Sequence, residues 1–181
     1  NPEELDRRLI GPVLWGVETT KESFKGGGGH VCLIDFSRGR CDSLLVENAP
    51  GELRGSVFVE SAHPQSVTLR NSILGEVRLG SLSSTSLTMV DVIISGSIEA
   101  RGASFTKSLF LDHVFSAGMV RFDYATLGNV LMNAVTARLV SMERSGLRGQ
   151  LALSAATVSG LNLRHITVDD EVSITNSDMG L

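Results

Sequence analysis

Residues 150–163 read QLALSAATVSGLNL, and the spacing of their apolar side chains decides the fold. Leu151, Leu153, Ala156, Val158, Leu161 and Leu163 follow one another at intervals of two, three, two, three and two. A half-buried strand repeats every two residues and a helix every three to four. Neither fits. A period of five fits a coil in which a short extended segment points residues i and i+2 inward and the next two residues turn a corner.

The pattern extends in both directions, from Val57 to Met179, with five single-residue insertions to keep its phase. It covers 24 consecutive units, and each of the two inward positions is apolar in 21 of them. The exceptions at the second position are Pro64, Ser84 and Ser116. At the overall apolar share of 42%, chance would supply about ten at each position, so this is an internal repeat. Such units cannot bury an apolar edge alone and must stack. Four units to a coil give coils beginning at Val57, Val77, Ile98, Val120, Val140 and Leu161. At a strand spacing of ~4.8 Å, six coils make a rod roughly 29 Å long.

The corners carry their own signal. Gly75, Gly96, Gly118, Gly160 and Gly180 follow the fourth side of successive coils, and only the corner at Arg138 lacks its glycine. Glycine tolerates the positive φ of tight corners, which is the expected reason for its presence.

The units RGASF (101–105), DYATL (123–127), SAATV (154–158) and RHITV (164–168) resemble degenerate copies of the A-[D/N]-L-x-x unit of the pentapeptide-repeat family. The resemblance covers about residues 55–181 and implies an all-β fold, a right-handed quadrilateral β-helix. Two departures stand out. The first inward position is often Val or Leu instead of Ala, and the middle residue is rarely Asp or Asn, so the interior is expected to be wider or differently packed. A six-residue acyltransferase period and a Gly-Asp calcium-binding nonapeptide are both absent from the sequence.

Residues 1–54 are less regular and read as an N-terminal capping segment ahead of a β-helix over 55–181. PEELDRRLI (2–10) suits a short helix with Asn1 as cap, Pro2 in the first position and two acids in the first turn. That helix is expected to cover the open end of the solenoid. VCLI (31–34) and LLV (44–46) read as strands of an irregular first coil. GGGG at 26–29 reads as a flexible turn, since no Lys-Ser/Thr follows it to hold a phosphate. Cys32 and Cys41 are too few for a disulfide framework and lack zinc-site spacing, so both are expected to be small buried side chains or free thiols, with a single bridge between neighbouring segments as the alternative. The chain opens on Asn1 without a methionine, and no terminal cap follows the last unit. A longer parent chain, or a second subunit over that end, is therefore expected.

Charge excludes some functions. The net charge of −4 divides evenly: residues 1–56 hold nine acids and seven bases, residues 57–181 eleven acids and nine bases. There is no basic surface for direct nucleic-acid binding. Apolar runs stay short of the ~18 residues of a membrane span. The expected location is cytoplasmic, or that of a secreted effector if a signal precedes Asn1.

No Ser-His-Asp, metal-ligand or paired-carboxylate spacing stands out, so the expectation is no enzyme, no cofactor and no metal. One edge stacks Asp123, Tyr124, Glu143, Arg144, Arg164 and His165, where a base and an acid could meet. Solvated ion pairs are the plainer expectation there. The outward residues are more telling. Those of the first side are largely polar, and those of the second form a hydroxyl-rich ladder. On the third and fourth sides Ile73, Ile93, Phe110, Phe115 and Leu131 point out from neighbouring coils. Five large apolar residues gathered so exceed scattered surface hydrophobicity. They point to a protein-interaction or scaffold module that docks a partner protein or a second copy, unless the N-terminal helix covers them.

The family resemblance implies an alternative, since some pentapeptide-repeat proteins protect DNA gyrase by presenting an acidic, DNA-like rod. The net charge of the repeat region, nine bases against eleven acids, speaks against it. A further alternative is an appendage that positions a larger enzyme or secreted effector.

Overall fold

A computed structural model describes residues 21–25, 33–35, 43–47 and 55–180. The helix expected over 2–10, the glycine turn at 26–29, Cys32 and Cys41 lie outside these. The described residues form a parallel β-solenoid of about six turns, with no helix and hence none long and apolar enough to cross a membrane.

The pairing follows the register set by the five-residue period. Val57, Val77, Ile98, Val120, Val140 and Leu161 are register partners in succession. On the third side Leu44, Val67, Leu87, Leu109, Val130, Leu151 and Val172 make one unbroken ladder. The ladder also continues upstream of Val57, where Leu33–Asp35 pairs with Ser56–Phe58 and Lys21–Lys25 pairs with Ser43–Glu47. Every pairing is parallel, so the backbone hydrogen bonds run along the rod from turn to turn. Examples are Val57 N to Glu76 O at 2.8 Å and Phe122 N to Ser141 O at 2.8 Å.

Each of the first five turns puts four inward pairs into the core, and the aliphatic ones are almost fully buried. Phe105 and Phe122 are the largest of them. The inward serines are buried too and are satisfied by backbone. Ser84 Oγ donates to Gln65 O at 3.0 Å, Ser116 Oγ to Gly96 O at 2.9 Å, and Ser72 Oγ to Arg70 O at 2.7 Å. A hydroxyl at an inward position thus costs little, because the preceding corner offers a carbonyl. In the sixth turn the inward Val172 and Ile174 are 49% and 44% exposed, since among the described residues no turn stacks on them.

The corners differ from expectation in an instructive way. Left-handed backbone occurs after the first side of each turn, at Ser61, Ser81, Gly102, Tyr124, Arg144 and His165. It occurs again after the third side, at Asn71, Asp91, His113, Ala134, Ala155 and Asn176. The glycines after the fourth side are not among these. At Gly96 and Gly118 the need is room: a Cβ on Gly96 would stand 2.7 Å from Gly75 O, and one on Gly118 would stand 2.8 Å from Gly96 O. Each of these corners lies directly on the one before it.

Candidate interaction surface

Parallel pairing stacks equivalent residues, so an outward position repeated along the chain becomes a stripe along the rod. On the fourth side Ile73, Ile93 and Phe115 are direct register partners, followed by Thr136, Thr157 and Asp178. On the third side Thr68, Thr88, Phe110 and Leu131 are partners, followed by Ala152 and Ser173. Ile93 is 48% exposed, Phe115 44% and Leu131 38%. Ile73 and Phe110 are half-buried. Phe110 and Phe115 belong to one strand, Ser104–Ser116, and flank the corner at Asp112 and His113.

That corner separates the two stripes with a polar seam. His113 Nδ1 lies 3.1 Å from Asp112 Oδ1, and Asn133 Nδ2 donates to the same oxygen at 2.7 Å. The opposite border of the fourth side is different. Its corners are built from Ser95, Gly96 and Ser97, then Ala117, Gly118 and Met119, then Arg138 and Leu139, then Ser159 and Gly160. Arg138 is the single charge in that set. Glu76, one turn earlier, is held by Arg78 at 3.1 Å.

The polar edge takes a structural form that the sequence reading did not anticipate. Asp123 is only 4% exposed, its carboxylate covered by residues of the first side. Its Oδ2 accepts from Arg121 Nε and Nη2 at 3.1 and 3.0 Å, and its Oδ1 accepts from Ser141 Oγ at 2.5 Å and Glu143 N at 3.0 Å. Asn162 Nδ2 donates on to Ser141 Oγ and Glu143 Oε2, both at 3.2 Å. Arg121 also reaches Glu99 at 3.8 Å. Glu99, Arg121, Ser141 and Asn162 are successive outward residues of the first side, so one chain of polar contacts binds four turns. That succession of polar residues at one repeat position was the available signal. Tyr124 stands beside this chain with the Arg101 guanidinium 4.8 Å from its ring centre, and Arg144 Nη1 donates to its hydroxyl at 3.1 Å. Arg164 and His165 are exposed, and among the described residues no ion pair or hydrogen bond joins the His165 ring to Asp123 or Glu143. No group of His, Cys, Asp and Glu among the described residues is placed to hold a metal ion.

Glu99 gives this network a pH dependence. Partial burial raises its carboxyl above the usual carboxylate range, against the attraction of Arg121. A carboxyl with a raised folded pKa is more protonated in the folded chain than in the unfolded one. Stability therefore falls as pH rises from the ordinary glutamate value through the raised one. Glu99→Gln is expected to raise the melting temperature slightly near about pH 7 and to leave it unchanged near about pH 4. Thermal unfolding followed by circular dichroism at the two pH values tests this, and an equal shift at both would contradict it.

The fold and this surface define the chain as a parallel β-solenoid with a stacked apolar stripe. Comparisons with protein-family models, with curated proteins and with solved structures return no match.

Proposed function

We propose that this chain is a non-catalytic protein-interaction module, a degenerate pentapeptide-repeat rod of right-handed, four-sided form. It docks a partner protein or a second copy through Phe110, Leu131, Phe115, Ile93 and Ile73. One observation carries the reading: large apolar side chains stand in register on two adjoining sides and remain open to solvent. A surface held by ladders on both flanks is preformed, so docking orders little and apolar burial is retained as affinity. Patches of this kind on soluble domains mark interaction sites. The acidic-rod alternative has less behind it, because Glu47, Glu76, Glu99, Asp123 and Glu143 each lie against an arginine.

The test is light scattering after size-exclusion chromatography, with capture of partner proteins measured in parallel. Wild type is compared with Phe110→Asp/Leu131→Asp on the third side and with Ile93→Asp/Phe115→Asp on the fourth. At least one pair is expected to abolish association seen in wild type. If neither pair changes assembly or capture, the apolar stripes have no docking role and the reading falls.

A further inference from the structure

Beyond the apolar stripes, we infer that the second side of the rod binds an acidic segment of a partner protein between two rows of cations. The floor of that side is the outward row Ser83, Ser104, Thr126, Gly146 and Thr167, uncharged register partners in succession. Over the third to fifth turns its borders are basic. Arg101 and Arg144 stand on the border with the first side, Lys107 and Arg148 on the border with the third, and all four are exposed. The members of each row are two turns apart, hence roughly 10 Å at ~4.8 Å per turn. Five residues at ~3.3 Å set the two rows roughly 16 Å apart.

These cations are uncommitted. Among the described residues no carboxylate lies within ion-pair distance of Arg101, Lys107 or Arg148, and Arg144 meets only Glu143, at 3.9 Å. The acids of the same border are recessed and held by other groups. Asp123 is bound by Arg121 and Ser141, and Glu143 accepts from Asn162 Nδ2 at 3.2 Å. Tyr124 stands between Arg101 and Arg144 and orders both. Their guanidinium carbons lie 4.8 and 5.7 Å from its ring centre, and Arg144 Nη1 donates to its hydroxyl. A guanidinium stacked on a ring keeps its N–H edge for a carboxylate and loses less freedom on binding one. Ser104 and Thr126 add hydroxyl donors on the floor between the rows.

Charge along the rod selects the kind of anion. The basic stretch is closed at both ends by exposed acids, Glu60 in the first turn and Asp169, Asp170 and Glu171 in the sixth. A nucleic-acid strand laid along this side would run into those carboxylates. Its bases would also find the Tyr124 ring already taken by two guanidiniums. A short acidic peptide meets neither obstacle, and five or six extended residues cover the roughly 16 Å between the rows. The apolar stripes lie on other sides, so the two surfaces respond to different substitutions.

Fluorescence anisotropy of a labelled peptide of alternating glutamate and alanine, about eight residues and hence ~26 Å long, tests this with the intact chain. Binding is expected at low salt, weakening as salt rises, and absent for the analogue with glutamine in place of glutamate. Arg101→Glu/Arg144→Glu and Lys107→Glu/Arg148→Glu each lower the affinity at least about tenfold, because attraction becomes repulsion. All four side chains are exposed, so both variants keep the fold, and circular dichroism verifies that. Phe110→Asp/Leu131→Asp and Ile93→Asp/Phe115→Asp bind the peptide as wild type does. Wild type that fails to bind overturns the inference, as does equal binding of the glutamine peptide or an unchanged affinity in either charge-reversed variant. An oligothymidylate strand that displaces the peptide and binds more tightly also overturns it. Loss of peptide binding in the stripe variants would place the peptide on the stripes instead. Stripe-dependent assembly without peptide binding leaves the interaction reading standing and removes this surface alone.

Discussion

Gly128→Ala is expected to destabilise the rod by about 3 kcal/mol or more, which is the upper part of the range for overpacking a closed site. The cause lies one turn earlier. The third turn carries an extra residue at its corner between the second and third sides, so Thr106 and Lys107 together stand opposite Gly128 alone. The pairing shows the step, with Leu127 partnered by Phe105 and Asn129 by Ser108. Two residues over one is a bulge, and the surplus backbone leans onto the next turn. A Cβ on Gly128 would lie 2.2 Å from Lys107 O and 2.6 Å from its carbonyl carbon. No rotamer change relieves a backbone clash. The third and fourth turns would have to part between the bond Thr126 N to Ala103 O and the pairing of Asn129 with Ser108. For a chain of this length, about 3 kcal/mol lowers the melting temperature by roughly 10 °C. Gly80→Ala is the control, since a Cβ there meets nothing nearer than 3.6 Å. Thermal unfolding of both variants decides the matter, and a loss at Gly128 no larger than at Gly80 would show that the bulge yields.

The architecture was legible because its periodic signal is strong and local. Two inward residues per five, sustained from Val57 to Met179, leave few ways to stack a chain. The outward apolar stripe followed from the same register, since a fixed inward pair fixes the residue between them. Ile73 and Phe110 are less exposed than Ile93 and Phe115, a grading that sequence alone does not supply. What sequence could not supply was anything arising between turns. Glycines after the fourth side were read as conformational, whereas at Gly96 and Gly118 the need is clearance from the turn beneath. The left-handed corners fall instead on residues as different as Tyr124, Ala134 and Arg144. Ladder bonds on both sides hold each corner, so the backbone adopts there a conformation its residue does not prefer. Asp123 was read as an edge residue for the same reason, since two of its partners, Ser141 and Glu143, lie about twenty residues further along the chain.

Asp123→Ala is expected to cost about 3 kcal/mol, because breaking a buried, hydrogen-bonded charge pair strands its partners. Four donor contacts converge on this carboxylate, two from Arg121 and one each from Ser141 Oγ and Glu143 N. Their losses are unequal. Arg121 keeps about a third of its side chain in solvent and has Glu99 within reach, so much of its charge is recovered by water and by that second carboxylate. The Glu143 N–H and the buried Ser141 hydroxyl have no such recourse, and an unsatisfied buried donor costs about 1–3 kcal/mol. Asp123→Asn should therefore lose less than alanine, since its amide oxygen still accepts from Ser141 and Glu143 while its NH₂ faces Arg121. Ser141→Ala should cost about 1 kcal/mol in the wild-type background and much less in Asp123→Ala, where its acceptor is already gone. Urea unfolding of the single and double variants measures that coupling. Additive losses would mean that the serine and the carboxylate act separately and that the first side is held by its backbone ladder alone. A coupling of about 0.5 kcal/mol or more would make the polar chain of the first side a clasp between turns, keeping the rod rigid and its opposed surfaces in register.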